Sequence, residues 1–371
     1  MKRIANCILA AVLLLSCGCA TPKTQQETPE VSTAVPEESE SIDSPYDLRQ
    51  VNTINLALGH SGTDESLNGY WAVRFKQRVE ELSAGKITVD IYGDSKLGSD
   101  LEIAEACRYG TVDIQITSPA AIATVVPEVA VFDMPFLFDT LEQARAALDD
   151  ETFFNYLALN YKENGLILLP LTDQGFRNLS LSVSVDGLED FQALTVRCMD
   201  NPYHAAFWQA LGFRTLNMDI ADVYLALQKG GVHGQENPYH QIYTRKFYEV
   251  QKYVTNSQHL LYIGDMHISK ITWDSLSSVS QEILWQAALD CQSVMPEYVD
   301  EANLTALEQM SKEGIRLINF DSIPNFREKC RDLTMNTAYE EIAAVTGKEI
   351  LDLWCAAAKC EQRRALQKED S

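Results

Sequence analysis

The chain has 371 residues, 46% of them hydrophobic, and its 53 acidic against 30 basic side chains give a formal charge of −23. That length suits one large or two ordinary domains with a real core. The acidic balance excludes nucleic acid as a partner, because phosphate recognition needs clustered lysine and arginine, but a small anion can still be held in a cleft by a local arginine pair.

Lys2 and Arg3 precede an apolar run, Ile8 to Leu15, that is too short to span a bilayer and reads as a secretory signal. Within its end, Leu14-Leu15-Ser16-Cys17 resembles a bacterial lipobox, which implies lipid attachment at Cys17, with Cys19 as the second candidate. Residues 1–19 are therefore assigned to a lipoprotein signal peptide and 20–48 to a disordered tether. Thr21 to Ser44 has no aromatic residue and is rich in Glu, Ser, Thr and Pro. Of the nine cysteines, Cys107, Cys198, Cys291, Cys330, Cys355 and Cys360 lie beyond the signal without CxxC spacing. Export permits disulfides, but buried free thiols are expected.

From Val51 the pattern turns to strand, with Ile54, Leu56 and Leu58 alternating up to Gly59-His60-Ser61-Gly62. Leu67, Trp71, Phe75, Val79 and Leu82 recur at helical spacing, and Gly85 stops that helix. Ile87, Val89 and Ile91 make a second strand, Leu101 to Tyr109 a helix, and Val112, Ile114 and Ile116 a third strand. This β-α-β-α-β order predicts an α/β domain with a mostly parallel sheet, and Leu166 to Leu171 a further buried strand. A second unit follows Gly175. It has a strand at Leu194, Val196 and Cys198, a helix opened by Asn201-Pro202 and running to Gly212, and another from Asp219 to Gln228. Long helices are predicted over Ser277 to Lys312 and Phe326 to Glu361, and no membrane span follows the signal. Gly110 to Gln115 weakly echoes Gly230 to Gln235, each after a helix and before a proline, which places one helix-strand unit in each half.

Arg197 sits among alternating apolar residues, so period two turns it away from the Leu194/Val196 face. Near the carboxyl end of such a strand it can offer a two-pronged donor to a carboxylate; a structural salt bridge is the other reading. Arg177 lies at the handover between the halves, as a cleft residue or a hinge ion pair. Asn237-Pro238 reads as a helix cap with proline in the first turn, a role compatible with ligand contact. Gly-x-Ser-x-Gly, P-loop, dinucleotide and HExxH signatures are missing from the sequence. The six histidines show no ligand spacing, and three on helical or tyrosine-rich stretches are expected at the surface. Trp208 and Trp273 are expected in the core.

Several segments together resemble the extracytoplasmic solute receptors of TRAP transporters, the DctP-type substrate-binding proteins: LSAGKITVDIYGDSKLGSD, GTVDIQITSPA, PEVAVFDMPFLFDTLEQA, DVYLALQKGGVHGQENP and IYTRKFYEVQKYVT. The resemblance covers roughly Val51 to Glu361. It implies a two-lobe periplasmic-binding-protein-like α/β fold, with a ligand cleft between lobes and a long connecting helix. Lobe I would comprise 49–174 and 263–302, lobe II 175–262 and 303–361, and 362–371 a tail. It implies Arg197 as the carboxylate-binding arginine, Arg177 as a second site arginine and Asn237 as the cleft asparagine. By position Ser61 and Ser118 should also line the cleft, and the internal echo sets Ser118 opposite Asn237. Pro238 would start a helix facing the cleft, and the following tyrosine-rich stretch would be largely a packed helix.

The sequence also departs from that pattern. His233 stands where many members have aspartate, Ile220 where an aromatic is common, and Ser118 where some sialic-acid-binding members carry an acidic residue. The expected function is a lipid-anchored extracytoplasmic receptor that delivers an organic acid to TRAP permease subunits, without cofactor, metal or nucleic acid. The alternatives are a ligand-presenting sensory module or, less in keeping with the sequence, a secreted enzyme acting on carboxylates.

Overall fold

The computed structural model describes residues 44–358, except the side chains of 335–337. The signal peptide, Cys17, Cys19, most of the tether, Cys360 and the C-terminal tail lie outside the described residues. Ser44 already joins the fold, donating to the Leu82 carbonyl at 2.5 Å.

The first unit forms as its periodicity predicts. It comprises β1 (Ile54–His60), α1 (Leu67–Leu82), β2 (Ile87–Tyr92), α2 (Asp100–Arg108) and β3 (Ile114–Thr117). β1 is central and parallel to β2 and β3. The helical-spacing residues of α1 are all buried. A capping box fixes the start of α2: Ser99 Oγ accepts from the Glu102 amide at 3.3 Å and Glu102 Oε2 from the Ser99 amide at 2.8 Å.

There follow α3 (Leu141–Leu148), α4 (Glu151–Glu163), β4 (Leu166–Leu168), β5 (Thr172–Leu181), β6 (Thr195–Cys198), α5 (Pro202–Ala210), β7 (Arg214–Asn217), α6 (Ile220–Gln228) and β8 (Gly234–Asn237). β6 is parallel to both β7 and β8, so a second parallel trio mirrors the first. The echoed segments are α2–β3 in one and α6–β8 in the other. The chain then runs through α7 (Tyr239–Thr244), β9 (Tyr253–Thr255), β10 (Leu260–Ser269), α8 (Lys270–Ser275), α9 (Ser278–Lys312), β11 (Arg316–Ile318), α10 (Phe326–Thr346) and α11 (Lys348–Ala357).

One sheet path, β2-β1-β3-β10-β5-β8-β6-β7, joins the two trios. Its middle is the antiparallel pair β5 and β10, ten residues each. β5 pairs with β10 through Arg177 and with β8 from Asn178 on. α9 is the expected long helix: 35 residues, about 52 Å at the usual rise. Ile283 to Val299 pack in the core of the first trio, whereas Met310 belongs to a separate core with Val223, Leu227 and Ile242. The fold is therefore the expected two-part α/β architecture with shared crossing strands.

Two predicted helices differ. The predicted helix to Glu361 breaks at Gly347, whose φ of 81° is left-handed, a conformation open to glycine. The break lets α11 turn back and set Trp354 against Phe132, Phe138 and Phe153. The stretch after Pro238 is not one packed helix. α7 ends at Thr244, Lys246 adopts φ 57°, and the chain returns as β9. The sheet takes that segment because β9 satisfies the backbone of both β5 and β11. Among the described residues no helix is long and apolar enough to cross a membrane.

Candidate functional site

A cavity of about 240 Å³ lies where the carboxyl ends of the two trios meet, the place where open α/β sheets bind ligands. Ser61 follows β1, Asp100 opens α2 and Ser118 follows β3; from the other side come Arg197 of β6, Ile220 of α6 and Asn237 of β8. Tyr262 of β10 lines it as well. Four of the five residues expected from sequence thus line one cavity, and the fifth, Arg177, stands behind it.

Val196 and Cys198 point into the core with Phe207 and Trp208, so strand alternation sends Arg197 to the cavity. It is 3% exposed. Its Nε and Nη2 both donate to the Met218 carbonyl, at 2.9 and 2.7 Å. Among the described residues no carboxylate forms an ion pair with it, which removes the salt-bridge reading. Burial lowers its pKa to about 10, so at neutral pH it remains a cation, with no counter-ion of its own.

Arg177 has one. Its Nε donates to Glu236 Oε2, and its Nη2 to Glu236 Oε1 at 2.8 Å and Asn237 Oδ1 at 3.0 Å. Its Cζ lies 5.0 Å from the centre of the Tyr262 ring, a cation–π distance. Arg177 does not line the cavity; it holds two residues that do. Its Nη1 is buried and unpartnered.

Glu236 is the hub of this layer. His259 Nε2 lies 3.1 Å from its Oε2 and His204 Nδ1 3.5 Å from its Oε1, while His204 Nε2 reaches Asp133 Oδ1 at 3.0 Å. Burial opposes the Glu236 charge, but Arg177, His204 and His259 hold its carboxyl well below the usual range. Burial would likewise depress His204, yet Asp133 and Glu236 raise it to about 9. Burial keeps His259 below its ordinary value. The expectation of surface histidines therefore fails. His60, His204, His259 and His267 are buried, and none of the six is exposed.

Asn237 is not a helix cap. It ends β8, α7 begins at Tyr239, and no side chain caps that helix. The Asn237 amide instead donates to Gln235 Oε1 at 2.6 Å and accepts from Arg177. The glycine before Gln235 is needed for close approach: a Cβ at Gly234 would sit 2.5 Å from the Ser180 carbonyl oxygen. His233 stays outside the cavity. Its Nδ1 accepts from the Thr195 amide at 3.0 Å, so this departure ties β6 to the segment entering β8. Ile220, by contrast, lines the cavity, where the departure leaves a smaller side chain.

Sequence reading missed Asp100, Glu236, Tyr262 and Arg245. Only Asp100 carried a local signal, as the first residue after a capping serine. Arg245 follows α7 and crosses to the first trio, donating through Nη2 to the Ser61 carbonyl and through Nη1 to Asp94 Oδ1 at 3.3 Å. His240 Nε2 lies 3.0 Å from the Glu65 carbonyl. These contacts latch one side of the cavity to the other. Arg245→Ala is expected to speed ligand release about tenfold, from the loss of charge-assisted bonds that cross from one side of the cavity to the other. Stopped-flow dissociation at the wild-type rate would remove the latch role.

The geometry agrees with the comparisons. The family model of the bacterial extracellular solute-binding proteins, family 7, matches residues 58–344. A solute-binding protein of Verminephrobacter eiseniae is 31% identical over 287 residues, 77% of this chain and 85% of that protein. Among solved structures, a sugar acid binding protein from Advenella mimigardefordensis, in complex with galactonate, is 32% identical with a TM-score of 0.79, covering 83% of this chain and 99% of that one. A TRAP periplasmic solute-binding protein from Polaromonas sp. JS666, bound to D-erythronate, is 28% identical with a TM-score of 0.76, covering 81% and 98%. The chain belongs to the bacterial extracellular solute-binding proteins of family 7, the DctP-type receptors of TRAP transporters.

Proposed function

We propose that the protein captures an organic carboxylate outside the cytoplasm and delivers it to a TRAP permease, anchored through a lipid on Cys17. The observation that carries this reading is Arg197: a buried guanidinium that lines a cavity and makes no ion pair among the described residues. Buried charge is costly unless paired, and a ligand carboxylate supplies the missing partner. Arg197 presents the donor, Asn237 a polar contact positioned by Arg177, and Ser61 and Ser118 hydroxyls on the opposite wall. This is binding and release, not turnover. Galactonate and D-erythronate, the acids named for two relatives, are hydroxylated monocarboxylates of a kind this cavity suits.

The proposed lobes, 49–174 with 263–302 and 175–262 with 303–361, have support on both crossings. β5 changes partner from β10 to β8 after Arg177. α9 passes from one core to the other between Ala302 and Leu307. Closure over the ligand would bend these connections.

A thermal-shift screen against organic acids tests the reading. A ligand at about 100 times its dissociation constant adds ~2.7 kcal/mol, a shift of several degrees. Melting that no carboxylate moves would sink it. For the anchor, mass spectrometry of the cell-derived protein should find a diacylglyceryl-modified Cys17, and an unmodified mature N-terminus would reject it.

A further inference from the structure

The cavity has a second end of the opposite sign. Asp100 is held at the start of α2 by the Ser99–Glu102 capping box. Its Oδ2 accepts from Ser61 Oγ at 2.9 Å and the Thr117 hydroxyl also supports the carboxylate, while its Oδ1 is buried and receives no hydrogen bond of normal geometry among the described residues. Buried acceptors in folded proteins are normally satisfied, so this oxygen calls for a donor from the ligand. The lining as a whole is unbalanced. Asp100, Asp200 and Asp219 contribute carboxylates, and Arg197 is the one guanidinium among the lining residues. The remaining wall is rich in neutral hydroxyls, from Ser61, Ser99, Ser118, Thr124 and Tyr262.

We propose that Asp100 sets specificity: it accepts a hydrogen bond from a hydroxyl at the far end of a monocarboxylate and rejects acids that bring a second carboxylate there. The proposal rests on the carboxylate-receptor reading and deepens it. One ligand carboxylate satisfies Arg197. A second would be desolvated beside Asp100 with like charge, a juxtaposition that costs far more in a closed site than in water. A hydroxyl completes the shell of Oδ1 and leaves the charges separated.

The test uses six-carbon acids in matched pairs, D-gluconate with D-glucarate and D-galactonate with galactarate. The members of each pair differ at one end, where a CH2OH is replaced by a carboxylate. In calorimetry of the wild-type protein, the monoacid of the binding pair should be at least about tenfold tighter than its diacid. Asp100→Asn should shrink that preference to about threefold or less, weakening the monoacid and relieving the diacid. The wild-type ratio needs no variant, and the ligand-free melt of Asp100→Asn reports whether it folds. A diacid that binds wild type as tightly as its monoacid overturns the proposal, as does an unchanged ratio in a folded Asp100→Asn. Preference for 6-aminohexanoate over both monoacids overturns the hydroxyl assignment. Failure of every carboxylate in the wider screen would instead sink the underlying receptor reading.

Discussion

Arg197→Ala is expected to weaken binding of the cognate acid about 10- to 100-fold, the worth of ~1.5–3 kcal/mol for hydrogen bonds to a charged group. The guanidinium is already dehydrated and braced against the Met218 carbonyl, so the ligand does not have to order it. The unliganded variant should melt no lower than wild type, because the substitution removes a buried charge that makes no ion pair. Affinity and stability should therefore move apart. Arg197→Lys should fall between, since the ammonium keeps the charge but loses the planar fork. Calorimetry showing near-normal affinity in Arg197→Ala would strip the residue of this role, and a large drop in the unliganded melt would make it structural instead.

Glu236→Gln should do the reverse, costing stability first. Glu236 is fully buried and neutralises Arg177 while accepting from His259. Removing its charge leaves Arg177 buried without a counter-ion, a change worth about 3–5 kcal/mol in comparable buried pairs. Urea unfolding gives the number, and a loss under about 1 kcal/mol would mean that this layer carries little of the fold.

The same cluster fixes the pH response. His204 is raised from 6.5 to about 9, so its contribution is complete below pH 6.5 and is lost as pH rises through about 9. His259 is held below 6.5 by burial, so the unfolded chain gains protons that the folded one refuses as pH falls below 6.5. Glu236, depressed, loses its contribution only further down, as pH falls from about 4.5. Melting temperature should therefore peak near pH 6.5 and decline toward pH 9, and His204→Gln should flatten that alkaline limb. A wild-type melt that is level between pH 6.5 and 9 would contradict the assignment.

Local pattern was enough for the first trio of strands, for β6, for α1 and α9, and for Arg197 as a residue of the cavity wall. Alternation and helical spacing are short-range properties: Val196 and Cys198 face the core, so Arg197 faces the other way wherever the sheet ends up. The family segments then set Ser61, Ser118 and Asn237 at strand ends. What the chain order did not carry is which polar groups meet after folding. Glu236 and Arg177 are 59 positions apart, Asp133 and His204 are 71 apart, and nothing in either neighbourhood marks them as partners.

The same reason explains the errors. Asn237 before Pro238 has the local form of a cap, but pairing with β5 and the Arg177 fork holds that asparagine in a strand. His204 and His259 are kept inside by carboxylates from distant segments, Asp133 and Glu236, which nothing in their own neighbourhoods announces. Asp100 resembles any acidic residue in a first helical turn until the cavity closes over it and leaves one oxygen without a hydrogen bond of normal geometry. Residue types and their spacing decided the architecture and the end of the cleft that carries Arg197. Long-range charge pairing and the exclusion of water, which exist only once the two halves meet, decided the layer behind it and the sign of its far end.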